Sequence, residues 1–95
     1  MNMQAVRAQR QAIAALARRH GVAEVRVFGS TARDTAGEAS DLNLLVRLEP
    51  GRSLLDRAAF RADVEALLGV RVDVANPATL HPLIRDQVQR EAQAI

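Results

Sequence analysis

The chain has 95 residues, 48% of them hydrophobic and 25% charged, which fits one globular domain with a modest core and excludes a disordered chain. Thirteen basic residues against eleven acidic ones leave a formal net charge of +2, a mixed surface rather than a basic field. With no Trp or Tyr and two Phe there is no platform for stacking bases, and with no Cys there is neither a disulfide scaffold nor a thiolate metal site.

Residues 3–20 read as an amphipathic helix, with Val6, Ile13, Leu16 and Ala17 on one stripe and Gly21 as its left-handed cap. Residues 24–28 alternate, Val25 and Val27 on one face and Arg26 on the other, as a short strand that Gly29-Ser30 breaks. Residues 31–34 are expected to form a short helix and 35–40 a polar loop, in which Asp34 and Glu38 are solvated. Residues 42–48 are the clearest strand, followed by a Pro50-Gly51 turn.

Ser53 and Asp56 form a capping box at the start of a helix with Leu55, Phe60, Val64, Leu67 and Leu68 as its approximate buried stripe, ended by Gly69. Residues 70–74 make a third strand, with Val70, Val72 and Val74 opposite Arg71 and Asp73. After the Asn76-Pro77 turn, a last helix starts near Thr79 and runs toward Ile95 through Leu80, Ile84 and Val88, with Pro82 in its first turn. Leu54 and Leu83 fit either core or contact positions. The fold class expected is α/β: a small mixed sheet of three strands or slightly more, with helices packed against it, in one domain over 1–95. Residues 1–17 lack the apolar run of a signal peptide, and no stretch approaches the roughly 20 residues that span a bilayer, so a soluble, cytoplasmic protein is expected.

Three features carry candidate chemistry. Gly29 lets a phosphate approach the main chain, Ser30 adds a hydroxyl at a helix start, and Arg33 adds a cation; the plain alternative is a strand-to-helix turn with a serine cap. Asp41 and Asn43 lie two apart on a strand, so both point away from the face of Leu42 and Leu44 and offer oxygens to Mg²⁺; the alternative is a loop-end Asp with a solvated Asn. Asp73 would be costly unpaired in a central strand, so it implies a metal or a basic partner, and Arg71 on its own face competes as that partner. His20 and His81 have no second histidine at ligand spacing, so no zinc site is expected.

Together, residues 27–46 (VFGSTARDTAGEASDLNLLV) and 71–75 (RVDVA) resemble the minimal nucleotidyltransferase family of the DNA polymerase beta-like superfamily. The matching positions are Gly29, Ser30, Ala32, Arg33, Ser40, Asp41, Leu44, Leu45, Val46 and Asp73, and the order of elements fits along nearly the whole chain. The resemblance implies the nucleotidyltransferase fold and an Mg²⁺-dependent transfer of AMP from ATP. Gly29, Ser30 and Arg33 would lie against the triphosphate, with Asp41, Asn43 and Asp73 at the positions that hold two Mg²⁺ and Asp41 and Asp73 as catalytic carboxylates. Small chains of this kind resemble antitoxins that modify a tyrosine of a HEPN-type toxin.

Asn43 departs from the family pattern, which has Asp there: an amide still offers an oxygen but no charge, so weaker Mg²⁺ binding is expected. A second reading is therefore a nucleotidyltransferase-fold protein that neutralises its partner by binding alone. A third, a nucleic-acid binder, has the arginines of the first helix in its favour (Arg7, Arg10, Arg18 and Arg19), and the charge balance and absent stacking residues against it.

Overall fold

The computed structural model describes residues 1–35, 37 and 41–95. The elements are α1 (Met3–Ala8), α2 (Arg10–His20), β1 (Val22–Phe28), β2 (Leu42–Leu48), α3 (Leu54–Leu68), β3 (Val72–Ala75), a 3₁₀ turn (Pro77–Thr79), α4 (Pro82–Glu91) and β4 (Gln93–Ala94). The sheet is mixed and four-stranded in the order β3-β2-β1-β4, with β2 antiparallel to β1 and parallel to β3.

One face of the sheet builds the core. Val27, Leu42, Leu44, Val46 and Val72 alternate onto it and meet Ile13 and Ala17 of α2 and Phe60 and Val64 of α3. His20 closes α2 against α3 through Nε2 to Asp63 Oδ2 at 2.6 Å, its ring edge-on to Phe60 at 6.4 Å between centroids. The opposite face carries Arg26, Phe28, Asn43, Leu45, Asp73 and Ala75 by register. Part of it is covered too: Leu45 is buried, α4 packs on β1, and the 3₁₀ turn packs on β2. No helix among the described residues is long and apolar enough to cross a membrane.

Several expectations change. The first helix is two: the chain bends at Gln9, whose N–H bonds back three residues to Val6 O at 3.0 Å. The short helix over 31–34 is a series of turns. Its bonds run from Arg33 N to Gly29 O, Asp34 N to Thr31 O and Thr35 N to Ser30 O, three different spacings that do not propagate, and Asp34 sits at φ 60°. Of the loop expected over 35–40, Thr35 and Gly37 carry no regular structure; Glu38 and Ser40 lie outside the described residues.

The third strand begins at Val72 rather than 70, and it is an edge strand. The last helix begins at Pro82, capped by His81 Nδ1 accepting from Leu83 N at 3.1 Å, and it stops at Glu91. Ala92 is extended, and the chain turns to pair with the outer edge of β1, Ala94 opposite Arg26 and Gln93 opposite Val27. That edge has unpaired backbone groups to offer, and Arg7 Nη2 secures the added strand by donating to Ala94 O at 3.1 Å.

The helix stripes are narrower than their apolar residues suggest. On α3, Phe60, Val64 and Leu68 face the core, whereas Leu55 is 81% exposed, because it lies roughly 140° around the helix from Phe60. Leu67 and, on α4, Ile84 are also exposed, as are Leu54 and Leu83, which are therefore not core.

Candidate active site

The candidate residues converge where β1 ends and the parallel strands β2 and β3 begin. Gly29 leaves β1 at φ 76°, a left-handed conformation that L side chains rarely adopt. The side-chain amide of Asn43 lies over it: a Cβ added at Gly29 would stand 2.7 Å from Asn43 Nδ2. Phe28 pairs with Asn43 across the antiparallel register, so the turn starts one residue past the rung that holds Asn43.

The turn is anchored from below and from the side. Thr31 is buried and its hydroxyl donates to Met1 O at 3.3 Å; Ala32 is buried, and its carbonyl accepts from Gln93 Nε2 at 2.7 Å. Among the described residues the N–H groups of Ser30 and Thr31 meet no protein acceptor, which leaves them for an anion. These are amides of a turn, so the helix-start field expected at Ser30 is absent and only local donors remain. Arg33, expected as a cation for phosphate, pairs with Glu91 of α4 through Nη1 at 2.9 Å, with about half of its side chain exposed.

On the other side of the turn the parallel strands lay out an array. Asn43 pairs with Asp73 in register. One rung earlier Leu42 N donates to Arg71 O at 2.9 Å, and Arg71 Nε lies 3.3 Å from Asp41 Oδ1. Asp41 and Arg71 thus form one rung and Asn43 and Asp73 the next, all on the face opposite the core. Arg71 therefore does not pair with Asp73, the alternative open from sequence. The desolvation argument for Asp73 fails as well, because β3 is an edge strand and Asp73 is exposed.

Sequence reasoning missed Glu91 and Gln93, which brace the turn from the end of α4 and β4, and it missed the partner of Asp41. The two-residue spacing of Asp41-x-Asn43 and Arg71-x-Asp73 carried that last signal, since parallel strands in that register place the pairs side by side. Among the described residues no group of three His, Cys, Asp or Glu side chains gathers as a metal cluster; the array has two carboxylates, with an amide in the third place.

The nucleotidyltransferase domain family matches residues 9–95. A solved structure assigned as a minimal nucleotidyltransferase is 50% identical, superposes with a TM-score of 0.88, and is matched over 100% of this chain and 97% of its own. MntA, a protein adenylyltransferase of Thermococcus cleftensis, is 43% identical over 76 residues, 80% of this chain and 77% of that protein. MJ0435 of Methanocaldococcus jannaschii, assigned as a protein adenylyltransferase, is 40% identical over 74 residues, 78% of this chain and 80% of that protein. A toxin–antitoxin structure with AMP-PNP shares the fold at 19% identity and a TM-score of 0.73, covering 88% of this chain and 69% of that one. The chain belongs to the nucleotidyltransferase family, and its named relatives there are protein adenylyltransferases.

Proposed function

We propose that this protein is an antitoxin that transfers AMP from ATP to a tyrosine hydroxyl of a HEPN-type toxin. The observation that carries the reading is the junction of Gly29-Ser30 with the Asp41, Asn43 and Asp73 array at one end of the sheet. The relatives named protein adenylyltransferases, and the toxin–antitoxin structure with AMP-PNP that shares the fold, support the nucleotide and the kind of partner.

In this reading the free amides of Ser30 and Thr31 and the Ser30 hydroxyl hold phosphate oxygens, and the absence of a side chain at Gly29 leaves room for them. Two carboxylates and an amide oxygen on one sheet face are a hard-oxygen donor set of the kind that holds Mg²⁺, so Asp41, Asn43 and Asp73 fit that ion. When bound, it supplies charge neutralisation at the phosphates and the leaving pyrophosphate. Asp73 accepts the proton of the acceptor hydroxyl. That oxygen then bonds to the α-phosphorus, the bond from this phosphorus to the bridging oxygen breaks, and pyrophosphate leaves. Arg33 braces the turn through Glu91 and orients the Gly29-Ser30 backbone.

The test is co-expression with the toxin and mass spectrometry of the purified toxin. The expected result is one added AMP on a tyrosine, absent with Asp73→Ala. An unmodified toxin in a stable complex would replace this reading with the second one, neutralisation by binding alone, which the uncharged Asn43 favours. Calorimetry separates them further: heat from ATP with Mg²⁺ belongs to the transferase.

A further inference from the structure

The array at the head of β2 and β3 has a charge balance of its own. The family resemblance implies three carboxylates around two divalent cations. This chain has two carboxylates, with a guanidinium on the same face: Arg71 Nε is 3.3 Å from Asp41 Oδ1, one rung from Asn43 and Asp73. Two acidic groups against one basic group leave one net negative charge, where three acids would leave three. Each divalent ion brought into such a site needs anionic oxygens to offset it, and the triphosphate alone supplies the remainder.

We infer that this site takes one divalent cation with the nucleotide, and that Arg71 supplies the second positive charge. The inference rests on the nucleotide-binding reading above. Arg71 is a nucleotide-contacting residue in this inference. In the structure it holds Asp41, and its side chain is 82% exposed, so the pair is weakly held and readily exchanged. When a nucleotide enters, the guanidinium can exchange Asp41 for a phosphate oxygen, to which a fixed cation is well suited. Asp41 is thereby released to the single cation alongside Asp73. Asn43 and Arg71 then act together: without a carboxylate at residue 43 one ion lacks its anchor, and the guanidinium supplies part of the positive charge that ion would have brought.

Electron paramagnetic resonance of Mn²⁺, titrated into protein saturated with a non-hydrolysable ATP analogue, counts the bound ions. One ion per nucleotide-bound chain is expected for the wild type and for Arg71→Lys, and two for the double variant Asn43→Asp with Arg71→Ala. Arg71→Ala alone is expected to weaken the analogue about tenfold, the loss of one charge-assisted contact. Circular dichroism confirms the fold of each variant, and both positions are on the surface or half-buried. Two ions on the wild type overturn the inference, as do one ion on the double variant or unchanged affinity in Arg71→Ala, and each leaves the proposed function standing. No binding of the analogue to the wild type overturns both.

Discussion

The amide of Asn43 occupies the space beside Gly29 that a side chain at residue 29 would need, so the last backbone turn of β1 and the second residue of β2 form one contact surface. Gly29→Ala is expected to fail twice there. The left-handed φ costs an alanine about 1–2 kcal/mol, and the new Cβ must displace the Asn43 amide. Thermal denaturation should show the loss of stability. Nucleotide binding should fall further than stability alone explains, because the displaced amide moves within the site. Wild-type affinity for ATP with Mg²⁺ in a folded Gly29→Ala protein would separate the turn from phosphate binding.

The cap of α3 gives a pH-dependent signature. Asp56 accepts from Ser53 N at 2.8 Å, and that backbone bond, with Arg52 nearby adding to it, holds its carboxyl below the ordinary carboxylate value. A pKa lowered by folding stabilises the folded state above the unfolded value, and this contribution disappears as pH falls through the lower, folded one. Asp56→Asn is therefore expected to melt below the wild type at neutral pH and to converge with it at strongly acidic pH. A constant gap across an acid titration would show that packing, not charge, is lost.

Core loss should dominate over any surface change. Phe60 is fully buried between α2, α3 and the sheet, and Phe60→Ala is expected to cost about 3–5 kcal/mol. A domain of this size has roughly 5–15 kcal/mol in total, so this one change should remove about a fifth of its stability or more. Leu55→Ala, at an 81% exposed site on the same helix, should change stability by less than about 0.5 kcal/mol. Urea titration of the two variants checks the contrast, and equal losses would mean that Leu55 is covered in solution.

The sequence is most legible where structure is local. Strand alternation placed Asp41 and Asn43 on the face away from Leu42 and Leu44, the glycines marked the ends of α2 and α3, and Ser53 with Asp56 marked the start of α3. What it hid is non-local. Nothing in Gln93-Ala94 distinguishes two more helical residues from a strand; the unpaired edge of β1 decides it. Asp73 reads as a costly buried acid only if its strand is central, and the strand order puts it at an edge. Arg71 has two acids in reach by face, and only the parallel register says that Asp41 is the one it meets.

Asn43→Asp tests whether the lost charge limits the reaction. The exchange is nearly isosteric, so the contact with Gly29 stays in place, and residue 43 is half-buried, not sealed in the core. Without metal the new carboxylate sits in register with Asp73 and one rung from Asp41, and like charges at that spacing repel. The variant should therefore melt below the wild type in chelator, and the order should reverse in millimolar Mg²⁺, because binding to the folded state stabilises it by mass action. If charge at this position limits transfer, the variant should also modify the toxin faster than the wild type in single-turnover assays with ATP. Equal rates, with Mg²⁺ raising both melting temperatures by the same amount, would show that the amide does the work of the carboxylate in this chain.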